Sequence, residues 1–283
     1  MRRCWKPTGS DIVLKKGPAA VMPLPIEGLR KKSLYIPYIE RCRNLQRQGL
    51  YSIIPDRNWI LAALLPKEKI SILDIGSCQI VFRELLDSSQ TTLYDYHTLD
   101  ITPIADRPEW IHEHLFDCNN PDYPVPDAYF DLIICSDVIE HIRNHEVLLS
   151  ECKKKLSDNG ALFLTTPNYS SLPYIRNILS GKMHHDPCGN SLEQYCFNEH
   201  VRYFTTISLI PYLRRQGWYA SHLILSGLAT EIPGKGPLFR FCMNLFYNRV
   251  CTSFTRLCHQ TMLILRKKEV HCRTVKAPLV KVV

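Results

Sequence analysis

The chain has 283 residues, enough for one large α/β domain with extensions. Hydrophobic residues make up 45% and charged residues 22%, as in ordinary globular proteins. The net charge of +8 comes from 35 Lys and Arg against 27 Asp and Glu, spread thinly without a long basic run. That distribution favours a solvated basic surface over a dedicated contact with nucleic acid, phosphorylated glycan or membrane. Twelve cysteines contain no C-x-x-C pair, which removes the basis for a structural zinc site or a disulfide framework. The first residues, MRRCWKPTGSD, are basic but lack a following apolar stretch, and no apolar run reaches the ~18–20 residues of a membrane-spanning helix. A cytoplasmic location with mostly free thiols is the expectation.

Residues 1 to about 33 are rich in Pro, Gly and Lys and read as a loose arm. Tyr35 to Leu65 carries two helix-like stretches broken by Pro55. Short β-like runs then alternate with helical segments. ISILDI (70–75) is a predicted strand, followed by a helix through VFRELLDS. TTLYDYHTLDI (91–101) and WIHEHLF (110–116) are the next two strands. FDLIICSD (130–137) is nearly continuous in apolar residues, as for a strand buried on both faces. HEVLLSECKKKLSDNG predicts an amphipathic helix stopped by Gly160, with ALFLTT as the fifth strand. Such alternation implies a parallel sheet with right-handed crossovers.

After Pro167 the pattern loosens, and 168–200 reads as an insertion or lid, with His184 and His185 on its surface. TISLIPYLRRQG predicts a helix ending at Gly217, with Arg214 and Arg215 in the last turn where cations suit the macrodipole. WYASHLILSG is a sixth strand. Residues 237–258 predict a helix with an aromatic stripe that includes Phe239, Phe246 and Phe254, interrupted by Arg240, Arg249 and Arg256. Packing on the sheet is the leading reading of that stripe, and peripheral contact with a membrane or lipid-linked acceptor the alternative. HQTMLILRKK is the last strand.

The junction SILDIGSCQIVF carries the first chemical signal. A strand ending in an acid and a glycine before a helix brings backbone N–H groups to a ligand. It resembles motif I of the class I S-adenosylmethionine (SAM)-dependent methyltransferases, acid-x-Gly-x-Gly-x-Gly. Asp74 and Gly76 match, whereas Cys78 and Ile80 stand where that family has glycines. Asp100, closing the second strand, sits where an acid accepts hydrogen bonds from ribose hydroxyls, or alternatively caps a turn. HLFDCNNPDYPVPDAYFDLIICSDVIEH resembles the next family block. Asp117 falls where the family places an acid near the adenine amino group. Asp137-Val138-Ile139-Glu140-His141 matches the D-V-x-E-H exit of the fourth strand. TTPNY (165–169) and EHVRYFTTISLIPYLRRQG (199–217) extend the resemblance over about 50–227. By pattern it points to a subgroup related to ubiquinone-biosynthesis O-methyltransferases and bacterial glycan-cluster methyltransferases.

The resemblance implies a Rossmann-like, doubly wound sheet of seven strands, mostly parallel, with the last inserted antiparallel beside the sixth. It divides the chain into an arm and first helix (1–45), a SAM-binding domain (46–227) and a closing helix and strand (228–283). SAM is the implied cofactor, lying across the carboxyl ends of strands one and four near Asp74, Gly76, Cys78, Asp100, Asp117 and Asp137. Oxygen is the favoured acceptor atom, because His141 and Glu140 cluster where a hydroxyl proton would be taken. The acceptor is expected to be a small molecule, glycan or lipid-linked compound, and the oligomeric state stays open. Some relatives hold a divalent ion in an E-x-x-E-H cluster, for which Asp137, Glu140, His141 and His200 are the candidates here. The metal-free reading is preferred, since Asp137 has a shorter arm than the family's Glu. Three rivals remain. A metal-dependent RNA 2′-O-methyltransferase lacks support from any basic stripe interleaved with aromatics. A degenerate, non-catalytic protein is motivated by Cys78 and Ile80. A dehydrogenase lacks its G-x-G-x-x-G.

Overall fold

The computed structural model describes residues 24, 36–48, 56–77, 81–86, 88–181, 200–225, 246, 249 and 253–276. Helices α1 (Ile36–Arg47) and α2 (Asp56–Leu64) lead into β1 (Ile70–Ile75). Two single helical turns, α3 (Val81–Glu84) and α4 (Ser88–Thr91), precede β2 (Tyr94–Asp100) and β3 (Ile111–Leu115). Then come β4 (Phe130–Ser136), α5 (His145–Lys155), β5 (Leu156–Pro167) and α6 (Leu172–Leu179). After α7 (Thr206–Arg215) and β6 (Tyr219–Leu225), a 3-10 turn (Thr255–Leu257) enters β7 (Gln260–Arg266) and β8 (Arg273–Lys276).

The strands form one sheet in the order β3-β2-β1-β4-β5-β7-β6-β8. β7 runs antiparallel between β5 and β6, and the other pairings are parallel. Period-two alternation splits the core into two layers. Ile72, Leu132 and Ile134 face Trp59, Ile60 and Leu85, whereas Leu73, Ile133 and Cys135 face Leu148, Leu209 and Trp218. Burial on both faces explains why β4 reads as a nearly continuous apolar run, and β1 is buried throughout as well. The chain leaves β1 toward β2 and β3, then returns to lay β4 on β1's other side. That reversal opens a crevice at the carboxyl ends of β1 and β4, where open α/β sheets bind ligands.

Five expectations change. The sheet has eight strands rather than seven among the described residues, because Arg273–Lys276 adds a short parallel edge beside β6. The fifth helix stops at Lys155, not Gly160, and β5 begins at Leu156. Between the pairs Phe130↔Leu156 and Leu132↔Ala161 the register shifts, and Gly160 lies in that bulge. A Cβ there would lie 2.9 Å from the Asp131 carbonyl oxygen, so this glycine serves close strand approach instead of a helix end. VFRELLDS forms only the turn Val81–Glu84 among the described residues, and β2 starts at Tyr94. The helix expected over 237–258 lies mostly outside the described residues. Phe254 is extended and Thr255–Leu257 is a 3-10 turn, so the helix does not reach 258.

Gly217 does end α7, at φ +72°. Trp218 N–H donates to Leu213 O at 2.9 Å and Gly217 N–H to Arg214 O at 2.9 Å, a Schellman closure. At the other end Thr205 and Ser208 form a capping box. Of the segment read as a lid, 168–181 is described and contains α6. No helix among the described residues is long and apolar enough to cross a membrane.

Candidate active site at the carboxyl ends of β1, β2 and β4

Gly76 follows β1 at φ +71°, a conformation that favours glycine. A Cβ at this position would fall 2.3 Å from Val138 Cγ2, so the β1 and β4 exits meet too closely for any side chain. The next residue, Ser77, is 3% exposed, and its hydroxyl has no partner among the described residues. Asp74 is buried and accepts a hydrogen bond from the Tyr96 hydroxyl at 2.6 Å. Burial raises its pKa to about 6, against the opposing pull of Tyr96 and Arg83. Asp100 is buried at the end of β2, and its Oδ1 accepts from Thr102 N–H at 2.8 Å. A tight glycine cradle, an unpartnered buried hydroxyl and a carboxylate at the next strand end are a fit for a nucleoside ligand. Asp117 lies farther along the same edge. It is exposed and accepts from Asn119 N–H at 2.9 Å. Cys78 and Ile80 lie outside the described residues.

The β4 exit is a separate chemical unit. Asp137 adopts φ +54°, unusual for a non-glycine residue and tolerated best by Asp and Asn. Its carboxylate is occupied by Arg57 Nη1 at 2.9 Å, Thr165 Oγ1 at 2.7 Å and Gln260 Nε2 at 2.5 Å. Three elements distant in sequence therefore clamp this turn. Glu140, three residues further, is 0% exposed. Its Oε2 accepts from Thr166 at 2.9 Å, and its Oε1 has no partner among the described residues. Burial first, then the Asp137 charge, pushes the Glu140 carboxyl up to about 8.

Glu140 O accepts N–H bonds from Val201 at 2.8 Å and Arg202 at 3.1 Å. Those bonds bring the segment before α7 against the β4 exit and place His200 edge-on to His141, with ring centroids 4.6 Å apart. One donor atom from each of Glu140, His141 and His200 lies within 4.8 Å of the others. Asp137, a fourth candidate ligand by sequence, instead faces Arg57, Thr165 and Gln260. The Tyr169 hydroxyl is hydrogen-bonded to His200 Nδ1. His141 is exposed, so the cluster has one solvent-facing imidazole over one buried carboxyl.

Sequence reasoning assigned no individual role in TTPNY, yet Thr165, Thr166 and Tyr169 hold Asp137, Glu140 and His200 in turn. Asn168, wholly buried, joins the same network: its Nδ2 donates to Cys258 O at 2.6 Å and its Oδ1 accepts from Thr206 N at 3.2 Å. The resemblance of this segment was the available signal. Arg57 and Gln260 carried none, because their role depends on contacts across 80 to 123 positions of chain.

A family model described as a methyltransferase domain matches residues 45–223. The mitochondrial ubiquinone biosynthesis O-methyltransferase of Rattus norvegicus is 38% identical over 50 residues, 18% of this chain and 14% of that protein. The ubiquinone biosynthesis O-methyltransferase of Glaesserella parasuis is 34% identical over 53 residues, 19% of this chain and 22% of that protein. The chain thus matches less than a quarter of the length of these curated relatives. A methyltransferase solved in complex with the Haloferax volcanii Trm112 methyltransferase activator has a TM-score of 0.50 at 15% identity, covering 81% of this chain and 97% of its own. That likeness is one of fold. Fold and family match agree: this chain belongs to the methyltransferase-domain family and has the fold of the class I SAM-dependent enzymes.

Proposed function

We propose that the enzyme methylates a hydroxyl oxygen on a small-molecule, glycan or lipid-linked acceptor, with His141 taking the proton. The observation that carries this reading is the exposed His141 imidazole set beside the buried Glu140 carboxyl and His200 at the β4 exit. Bound SAM supplies an electrophilic methyl group on a sulfonium. The remaining work is alignment of the acceptor and removal of its proton. Gly76, Ser77 and Asp100 would hold the cofactor's nucleoside, with Asp117 on the adenine side. His141 accepts the hydroxyl proton, with the Glu140 carboxyl set beside its ring. The Tyr169 hydroxyl orients His200 through Nδ1, and the Arg57–Asp137 contact fixes the turn that carries Glu140 and His141. The partial matches to ubiquinone O-methyltransferases support oxygen as the acceptor atom.

A second reading is favoured by the unpartnered Glu140 Oε1. A divalent cation held by Glu140, His141 and His200 would satisfy that oxygen and acidify an acceptor hydroxyl. One experiment separates the two. Methyl transfer from labelled SAM is measured on phenolic, glycan, lipid-linked, RNA 3′-terminal and amine acceptors, with and without a chelator and across pH. The lone-base reading predicts indifference to the chelator and a rate rising through the imidazole range, ~6.5 for a free ring. Loss of turnover on chelation, with SAM still bound, would replace it by the cation reading. Transfer confined to nitrogen acceptors would overturn both.

A further inference from the structure

The edge of the sheet carries a second carboxylate–imidazole cluster, on strands rather than loops. Asp95 and His97 lie two apart on β2, and His112 and His114 two apart on β3. Period-two alternation therefore places all four on one face. The parallel register sets His97 directly beside His112. Asp95 Oδ1 lies 3.2 Å from His97 Nε2 and 3.5 Å from His112 Nε2. Two metal–ligand bonds of about 2.0 Å at the tetrahedral angle hold their donor atoms about 3.3 Å apart. Both observed spacings match such an edge. One donor from each of these three residues lies within 4.8 Å of the others.

The atoms turned away from this point are also engaged. His97 Nδ1 lies 3.0 Å from His114 Nε2, and the Tyr129 hydroxyl donates to Asp95 Oδ2. Bonds of this kind, to the far nitrogen or oxygen of a ligand, fix tautomer and orientation at metal sites. Phe130 packs edge-on against the His97 ring at 5.2 Å, which restricts its rotation. His112 is 59% exposed, so an ion can enter from solvent and keep water as its fourth ligand.

We propose that Asp95, His97 and His112 bind a divalent transition-metal ion of the zinc class, with His114 and Tyr129 as orienting partners. Two imidazoles and one carboxylate select zinc or its neighbours over magnesium or calcium. The ion ties β3, the outermost strand, to β2 at the amino ends of the strands, remote from the crevice at their carboxyl ends. Its role is structural. The competing description is a plain polar ladder in which His97 Nε2–H donates to Asp95.

The test uses the full chain, stripped with a chelator, dialysed, and titrated with Co²⁺ and then Zn²⁺. The expected result is the visible absorption of tetrahedral cobalt, displaced by zinc, with the melting temperature rising by about 5 °C at a hundredfold excess over Kd. H112Q, at an exposed position compatible with folding, should weaken zinc binding at least tenfold, and H114A about tenfold. E140Q/H200A should retain the cobalt spectrum, because those residues belong to the other cluster. Unchanged zinc affinity in both H112Q and H97Q would overturn the proposal. So would a cobalt spectrum lost in E140Q/H200A and kept in H112Q.

Discussion

Two clusters in this molecule have the same composition, one carboxylate and two imidazoles, at opposite ends of one sheet. Asp95, His97 and His112 lie on regular strands, half-open to water. There the hydrogen bond from His97, with Tyr129 adding to it, holds the Asp95 carboxyl down at about 2. Glu140, His141 and His200 lie on turns around the sheet's crevice. There burial and the neighbouring Asp137 push the Glu140 carboxyl up to about 8. The residue types do not distinguish these sites; their surroundings do. A carboxylate kept anionic by its partners suits a fixed structural contact. One held near neutrality suits the handling of a proton or cation, the role proposed for this cluster.

The largest predicted effect is on stability against pH. The folded Glu140 carboxyl titrates above its unfolded value, so it binds a proton on folding. Its contribution is complete below about 4.5 and is lost as pH rises toward about 8. Thermal melts between pH 5 and 9 should show the wild type losing on the order of a few kcal/mol that Glu140→Gln keeps. Equal slopes would remove the contrast between the clusters. Mg²⁺ or Mn²⁺ flattening the wild-type slope would favour the cation reading.

Next is the clamp on the β4 exit. Arg57→Met leaves the partly buried Asp137 without its charged partner and should cost about 1.5–3 kcal/mol, read by denaturant unfolding. A similar range applies to the cofactor side. Asp100→Ala should weaken SAM binding by about 1–3 kcal/mol in calorimetry, with the fold retained. Unchanged affinity would remove Asp100 from the ribose site. The smallest effect belongs to the strand cluster without metal. Asp95 is 37% exposed at its side chain, so solvent screens its pairs and Asp95→Asn should cost under about 1 kcal/mol. A larger loss would mean that the ladder alone, without an ion, is a strong staple.

Much of the frame was legible because it rests on local pattern. A nearly continuous apolar run marked β4 as a doubly buried strand, ISILDI marked β1, Gly217 marked the end of α7, and Asp137 to His141 marked the candidate site by a resemblance in order and spacing. Gly160 misled, since a glycine after a helical stretch reads the same whether it ends a helix or relieves a bulge against Asp131. Arg273–Lys276 left no apolar run to find. The clamp of Arg57, Thr165 and Gln260 on Asp137 arises only when α2, β5 and β7 meet, and no periodicity encodes that meeting. The strand cluster was present in the sequence as two alternating pairs. Recognising it required the register that sets His97 beside His112.

The most direct test of the acceptor site is a single-turnover comparison of wild type with His141→Ala, once an accepted hydroxyl substrate is in hand. SAM affinity, measured on the same preparations, should be unchanged, while methyl transfer falls by about 10²–10⁴. Transfer at the wild-type rate in a folded His141→Ala protein would contradict the assignment of proton removal to this cluster.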